Sequence, residues 1–177
     1  MKNEKITIAI VDDHRLVIDG LRSLLKGHPY FAVKIECTKP EEMESILSEN
    51  PVDILLTDVM MPVMNGAELA KIIKKRFPKI KILALSMSGE AALVNRMIED
   101  SDIAGYVLKN ISKTELITAL EKIASGGVYF SAEVLEGIIK ESERKSSSEK
   151  VHLTAREKEI IQLIEKQQTN KQIACSL

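Results

Sequence analysis

Cysteine and net charge are both scarce in this sequence, and each shortage excludes a class of protein. The two cysteines, Cys37 and Cys175, are too few for a disulfide framework and are typical of a reducing compartment. Because 25 basic residues are matched by 26 acidic ones, the formal net charge is only −1. The protein as a whole therefore has no electrostatic attraction to nucleic acid or to a membrane surface.

Long apolar runs are also missing. No segment reaches the ~18 consecutive apolar residues of a membrane span. The N-terminal stretch MKNEK lacks the apolar core of a signal peptide. We therefore expect a soluble, cytoplasmic protein with no membrane partner. The 177 residues allow one full domain of about 100–150 residues and a remainder.

What the sequence does contain is a regular alternation of two patterns. Apolar runs of about five to seven residues predict strands over 6–11, 32–37, 52–57, 80–86 and 105–109. Apolar residues at three- and four-residue spacing predict helices over 14–27, 40–49, 66–77, 90–100 and 112–125. Strands that are apolar on both faces imply a parallel sheet covered by helices on both sides. We predict an α/β fold with a doubly wound, five-stranded parallel sheet in the order 2-1-3-4-5.

The pattern changes after Gly127. Residues 131–140 predict one more helix, and the charged, serine-rich stretch 141–150 predicts a flexible linker. A second amphipathic segment follows, in which Thr154 is a good N-cap with Glu157 three residues later. We therefore predict one full domain over 1–130, a helix and linker over 131–150, and a separate helical extension over 151–177.

Polar side chains stand at the ends of four predicted strands. They are Asp12 and Asp13 after the first strand, Asp58 after the third, Ser86 at the end of the fourth and Lys109 at the end of the fifth. In a doubly wound sheet, ligands bind beyond the carboxyl ends of the strands, where the strand order reverses. Neighbouring carboxylates repel unless a cation neutralises them. Mg²⁺ accepts carboxylates together with waters and phosphate oxygens, so the set predicts a site for Mg²⁺ and a phosphoryl group.

Asp58 is the predicted phosphoacceptor because it ends the central strand. With a metal screening the repulsion, its carboxylate can attack phosphorus to give an aspartyl phosphate. Lys109 would pair with one phosphoryl oxygen as a point charge, and Ser86 would donate a hydrogen bond to another. The backbone carbonyl of Met60, in the loop that follows, is expected to complete the metal shell.

The flanks of these residues carry a family resemblance over roughly residues 5–127. The stretches IVDDHRLVIDGL, LLTDVMMPVMNG, LALSMSG and GYVLKNISKTEL together resemble the receiver domain of two-component response regulators of the NarL/FixJ type. The resemblance implies a flavodoxin-like receiver fold and Mg²⁺ bound at Asp12, Asp13 and Asp58. It also implies phosphotransfer to Asp58 from the phosphohistidine of a sensor histidine kinase. Such a protein is a phosphoacceptor rather than an enzyme, with at most self-phosphorylation and slow autodephosphorylation.

The resemblance further implies a switch. Ser86 and Lys109 would sense the phosphoryl group, and Tyr106 would move inward when the Ser86 hydroxyl shifts toward it. From the residues alone, a half-buried Tyr106 ring that packs against the fourth helix is an equally good interpretation.

The C-terminal stretch LTAREKEIIQLIEKQQTNKQIACSL is similar to the opening of a LuxR-type helix-turn-helix domain. It matches the first helix and the scaffold helix, while the recognition helix that enters the major groove is absent. The resemblance implies transcription regulation, with DNA as a partner of the full-length parent, and it allows a homodimer. The alternative is a stand-alone receiver module that signals without binding DNA.

A metal-dependent phosphohydrolase with Asp58 as its nucleophile is a further alternative. Enzymes of the haloacid-dehalogenase type place a second aspartate two residues after the nucleophile for acid catalysis. Met60 occupies that position here, so the sequence disfavours this alternative.

Overall fold

The computed structural model describes residues 5–148, in which strands and helices alternate. The elements in chain order are β1 (Ile6–Val11), α1 (Arg15–Leu25), β2 (Phe31–Cys37), α2 (Met43–Glu49), β3 (Ile54–Asp58), α3 (Gly66–Arg76), β4 (Lys81–Ser86), α4 (Ala91–Ser101), β5 (Gly105–Leu108), α5 (Lys113–Ala124), β6 (Tyr129–Phe130) and α6 (Ala132–Ser148), with a short 3₁₀ helix over Pro40–Glu42. All five predicted strands are present, with ends that differ from the prediction by at most two residues.

The sheet has six strands rather than the predicted five, in the order β2-β1-β3-β4-β5-β6. Every pairing is parallel, which confirms the doubly wound topology. The additional strand β6 pairs with β5, where Tyr129 is aligned with Gly105 and Phe130 with Tyr106. A strand of two residues is too short to show a periodicity, so it could not be predicted from a hydrophobic pattern.

Alternate residues of the central strands pack on opposite faces of the sheet, as the period of two requires. Ala9 and Val11 lie in one buried cluster with residues of α2, α3, α4 and α6. Ile8 and Ile10 lie in a second buried cluster with residues of α1 and α5. Because both faces are covered, the strands are apolar without interruption, which is typical of parallel sheets.

Helix ends are fixed by side chains at two of the predicted starts. The Asn65 side chain accepts a hydrogen bond from the Glu68 backbone N–H, and the Glu68 carboxylate accepts one from the Asn65 backbone N–H. This reciprocal pair is a capping box. Ser112 accepts a hydrogen bond from the Glu115 backbone N–H at 3.2 Å, which confirms the predicted start of α5.

Helix α6 continues to Ser148, so the prediction of a flexible linker over 141–150 is wrong as far as that residue. This stretch contains no glycine or proline, and its glutamates, lysine and arginine are good helix formers. The helix begun at Ala132 can therefore propagate through it despite its polarity. The predicted extension over 151–177 lies outside the described residues. Within residues 5–148, no helix is long and apolar enough to cross a membrane.

Candidate functional site

Parallel pairing places the predicted site residues at one edge of the sheet. Asp58 ends β3 and Ser86 ends β4, and the register of these neighbouring strands aligns Asp58 with Leu85. The Lys109 backbone N–H donates to the Ser86 carbonyl at 2.7 Å, which extends the pairing of β5 with β4. Asp12 follows β1 directly. The predicted carboxylates, hydroxyl and ammonium group therefore lie together, as the strand ends indicated.

A shared ion pair forms the centre of the site. Lys109 Nζ lies 2.7 Å from Asp12 Oδ2 and 2.9 Å from Asp58 Oδ2. The Asp12 and Asp58 side chains are only 1% and 2% exposed, and that of Lys109 is 10% exposed. Two buried carboxylates thus share one ammonium group, which leaves an excess of negative charge before Asp13 is considered.

The pKa values of Asp58 and Lys109 are both raised, for different reasons. Burial raises the pKa of Asp58 above its ordinary 3.8, and the neighbouring Asp12 charge adds to this, so that together they outweigh the lowering effect of Lys109. Burial would lower the pKa of Lys109, but its hydrogen bonds to Asp12 and Asp58 raise it more, and it lies above the ordinary 10.5. The lysine is therefore held charged, while the fold disfavours the charge on Asp58.

The remaining carboxylate oxygens show what the site can still bind. Asp12 Oδ1 accepts from the His14 backbone N–H at 2.9 Å, and Asp58 Oδ1 accepts from the Met60 backbone N–H at 3.2 Å. Asp13 Oδ1 is buried, and among the described residues it accepts no hydrogen bond of acceptable geometry. His14 Nδ1 lies only 3.0 Å from this oxygen, but proximity alone does not make a hydrogen bond. Asp13 Oδ1 is therefore an acceptor whose hydrogen bonding is unsatisfied among the described residues.

The donor set fits a divalent cation. Asp12, Asp13, His14 and Asp58 each offer a ligand atom, and these atoms all lie within 4.8 Å of one another. In octahedral Mg²⁺, with ligands about 2.1 Å from the ion, opposite ligands are about 4.2 Å apart, so small side-chain shifts would close such a shell. The three carboxylates can hold Mg²⁺; coordination by the Met60 carbonyl stays a prediction.

A tight turn after β3 holds the Met60 backbone beside Asp58. The Gly66 backbone N–H donates to the Val59 carbonyl at 2.9 Å, so the loop returns directly against the end of the strand. A Cβ atom at Gly66 would overlap the Asp58 carbonyl oxygen and lie 2.8 Å from Val59 Cα. Only glycine fits here without moving the backbone of the phosphoacceptor candidate. The sequence showed this glycine as a helix start but not this close approach.

Replacing Gly66 by alanine is expected to destabilise the fold by about 2 kcal/mol or more, because backbone atoms cannot give way as a flexible side chain can. Urea denaturation measures the change in the free energy of unfolding. Gly20 is the matched control, since nothing lies within 4 Å of a Cβ atom there and it too lies in a helix. Gly20→Ala should stabilise by roughly 0.5–1 kcal/mol. Equal effects of the two changes would contradict this account of Gly66.

Ser86 begins a chain of hydrogen bonds that leads away from the carboxylates. Its hydroxyl is buried and accepts from the Ser88 backbone N–H at 3.2 Å. The Tyr106 hydroxyl donates to the Ser88 carbonyl at 3.1 Å. Tyr106 is fully buried rather than half-buried, in the same cluster as residues of α4, and burial raises its pKa. The sequence did not predict the role of Ser88 in this chain of hydrogen bonds. Its only signal there is the group of small residues in LSMSG, which suits a loop.

Comparison with known proteins agrees with this geometry. The family model described as the response regulator receiver domain matches residues 8–121. This chain belongs to the response regulator receiver family. Like the response regulators in general, it is therefore expected to be a signal transducer, and the resemblance drawn from its motifs is confirmed.

Other response regulators resemble this one over most of its length. It is 30% identical to the transcriptional regulatory protein DegU of Brevibacillus brevis, over 100% of this chain and 82% of that protein. It is 32% identical to the response regulator protein VraR of Staphylococcus aureus, over 96% of this chain and 80% of that one. Both relatives are thus matched well beyond the receiver domain.

Solved response regulators show the same fold. The isolated receiver domain of RcsB from Salmonella enterica serovar Typhimurium, solved with the phosphomimetic BeF₃⁻, has 29% identity and a TM-score of 0.70 over 76% of this chain and 99% of that one. An RcsB–DNA complex has 28% identity and a TM-score of 0.72 over 91% of this chain and 77% of that one. These matches confirm the flavodoxin-like receiver fold.

Proposed function

We propose that this response regulator accepts a phosphoryl group on Asp58 from the phosphohistidine of a sensor histidine kinase, and that the modification controls DNA binding and transcription. The observation that carries the proposal is the pairing of two buried carboxylates, Asp12 and Asp58, with Lys109 at the carboxyl edge of the sheet. A structural ion pair would need one carboxylate per lysine. The additional negative charge, with Asp13 beside it, is what a cation site requires, while Lys109 and the bound cation would supply the positive charge that a phosphoryl group requires.

The chemistry assigned to each residue follows from its position. An Asp58 carboxylate oxygen forms the new bond to phosphorus as the bond from phosphorus to the donor's imidazole nitrogen breaks and the imidazole leaves. Lys109 pairs with a phosphoryl oxygen, and Ser86 donates its hydroxyl hydrogen to another. Asp12, Asp13 and Asp58, with the Met60 carbonyl, would hold Mg²⁺, which when bound neutralises carboxylate and phosphoryl charge. The protein's own contribution is positioning and charge stabilisation.

The surface around the site suits a protein donor. Four of the six exposed large apolar side chains among the described residues are Leu16, Met60, Val63 and Met87. Leu16 lies in the first turn of α1, and the other three lie in the loops after β3 and β4, so all four surround the carboxyl edge. Apolar side chains grouped at a polar site are typical of a protein contact surface. We assign this apolar rim to docking of the kinase.

We propose the output of the protein, DNA binding and transcription regulation, from its relatives. DegU and MctR are named transcriptional regulatory proteins, and RcsB has been solved with DNA and as dimers on DNA. We infer that this response regulator binds DNA in the cytoplasm, as a homodimer. The alternative is a stand-alone receiver module. A gel-shift titration at stated salt separates the two, because a stand-alone receiver module should bind DNA only weakly and with a strong dependence on salt.

Removal of divalent cations tests the metal part of the proposal. Acetyl phosphate with Mg²⁺ should add one phosphoryl group, and EDTA should slow this addition by about 100-fold or more, because a metal supplies several kcal/mol of charge stabilisation. Intact-mass spectrometry measures the modified fraction. Asp13→Asn should raise the half-saturating Mg²⁺ concentration by roughly tenfold, as one ligand charge is lost. Asp53→Asn, at the opposite edge of the sheet, is the control. Labelling that EDTA leaves unchanged would refute the metal assignment.

A further inference from the structure

The loop between β4 and α4 is tied to the phosphoacceptor site at its first residues. Ser88 donates its backbone N–H to the Ser86 hydroxyl at 3.2 Å and accepts from the Tyr106 hydroxyl at 3.1 Å. A displacement of the Ser86 hydroxyl oxygen toward a phosphoryl oxygen on Asp58 therefore either moves Ser88 with it or breaks the hydrogen bond from the Ser88 backbone N–H. A movement of Ser88 also shifts the carbonyl that accepts from the Tyr106 hydroxyl.

The same loop packs directly on helix α6. A Cβ atom at Gly89 would lie 3.2 Å from Val134 Cγ2 and 3.5 Å from Val134 Cα. A Cβ atom at Gly137 would lie 3.2 Å from the Gly89 carbonyl oxygen. The two glycines thus bring the loop backbone and the helix backbone close together. Because the only side chain at this contact is the short, branched one of Val134, a shift of the loop cannot be absorbed locally.

Tyr106 connects the loop to α6 by a second route. Its carbonyl accepts from the Ser131 backbone N–H at 3.1 Å, directly before α6 begins. Its ring lies in the same buried cluster as Val134 and Ile138, which form the inner face of α6. Tyr106 therefore contacts the β4–α4 loop through its hydroxyl and the start of α6 through its carbonyl. The loop and the helix start would move together.

We propose that helix α6 reads the state of Asp58 through the Gly89–Gly137 contact and loosens from the β4–α4 loop when Asp58 is phosphorylated. The inference rests on the proposed function, since it needs a phosphoryl group to draw the Ser86 hydroxyl and Ser88 toward the site. Gly89 then withdraws from Val134 and Gly137, and α6 loses part of its packing. In the sequence, α6 leads toward the segment over 151–177, so the helix couples the site to whatever follows it.

Hydrogen exchange on the full chain tests this coupling. In the wild type, acetyl phosphate with Mg²⁺ is expected to raise amide exchange over residues 132–143 by about threefold or more, because a helix that loses packing opens locally more often. Exchange in β1 and β3 should not change. The intact mass of the same sample reports the phosphorylated fraction, so the two proposals can fail separately.

A larger side chain at the Gly89–Gly137 contact should loosen α6 as phosphorylation does. In Gly137→Val the new Cβ atom would lie 3.2 Å from the Gly89 carbonyl oxygen and its two methyl groups add bulk there, while valine gains less helix propensity over glycine than alanine does. Exchange over 132–143 should therefore be high without phosphate and should rise no further with it. Phosphoryl addition itself should be unaffected. Gly20→Val changes a helical glycine with nothing within 4 Å of its Cβ position and should leave exchange over 132–143 as in the wild type.

The outcomes discriminate sharply. Phosphorylated wild type with unchanged exchange over 132–143 overturns the coupling and leaves the phosphoacceptor function intact. If the wild type gains no mass, both the phosphoacceptor function and the coupling to α6 are refuted. Should Gly137→Val lose its fold, seen as raised exchange in β1 and β3, the wild-type comparison decides the question alone.

Discussion

Replacing Asp58 by asparagine is expected to abolish phosphorylation completely, so that acetyl phosphate with Mg²⁺ no longer adds the about 80 Da of one phosphoryl group to the chain. An amide oxygen is too weak a nucleophile to attack phosphorus, whereas the shape of the side chain is retained. The asparagine oxygen can still accept from the Met60 backbone N–H, which lies 3.2 Å from Asp58 Oδ1. The readout is the intact mass followed over time.

The same change should not weaken the fold. Burial raises the pKa of Asp58, so the folded state disfavours its charge at neutral pH. A raised carboxyl pKa means that the folded state binds protons more tightly, so stability is lost as pH rises from 3.8 toward the folded pKa. Asp58→Asn removes this cost and leaves Lys109 with Asp12 alone. We expect equal or slightly greater stability at neutral pH, which separates loss of labelling from loss of folding.

Asp53→Asn is the matched control for this experiment. Asp53 lies directly before β3, at the opposite end from Asp58, and accepts from the Thr7 backbone N–H and hydroxyl, both at 2.7 Å. Its replacement disturbs a surface turn but not the carboxyl edge, so labelling should be retained. Phosphoryl addition to the Asp58→Asn variant at the wild-type rate would show that another residue is the acceptor, and the proposed function would fall.

Most of the site was predictable because it depends on strand ends. Unbroken apolar runs indicate buried parallel strands, and parallel strands bring their carboxyl ends to one edge. Asp12, Asp58 and Lys109 therefore had to meet once the strand order was predicted, and the structure brings them within hydrogen-bond distance. The chemistry of these carboxylates and of the ammonium group follows from residue type. The site and the family therefore point to the same chemistry.

What the sequence could not show depends on contacts between segments distant in the chain. The approach of Gly66 to Asp58, and of Gly89 to α6, is a property of how loops close over the sheet. The complete burial of Tyr106 depends on α6, which is polar over its C-terminal half and was predicted to end at residue 140. A hydrophobic pattern reports which face of a helix is apolar but not which neighbour covers it.

Replacing Lys109 by methionine is expected to destabilise the protein at neutral pH by roughly 3–5 kcal/mol, because it leaves two buried carboxylates without their shared partner. Methionine keeps the length and the apolar stem of the side chain, so the change removes little more than the charge. Urea denaturation gives the free energy of unfolding. The control is Lys71→Met, whose side chain is 66% exposed and 3.8 Å from Asp100, and which should cost less than about 1 kcal/mol.

The pH dependence of this loss follows from the directions of the pKa shifts. The raised pKa of Lys109 means that its stabilisation is fully present below 10.5 and is lost as pH rises through the higher folded value. Without the lysine, the carboxylates repel each other, and the raised pKa of Asp58 should rise further. The deficit relative to wild type should thus be largest at neutral pH and should shrink in acid, as the carboxyl groups become protonated.

A double-mutant cycle assigns the loss to the buried charges. In the Lys109→Met, Asp58→Asn double variant the repulsion between Asp12 and Asp58 is removed along with the lysine, because the charge of Asp58 is gone. The combined change should therefore cost clearly less than the sum of the single changes, since groups in direct contact are not additive. Simple additivity would mean that Lys109 stabilises the fold through its stem rather than its charge. It would then also be a poor candidate for the cation that pairs with a phosphoryl oxygen, which ties this stability measurement to the proposed chemistry.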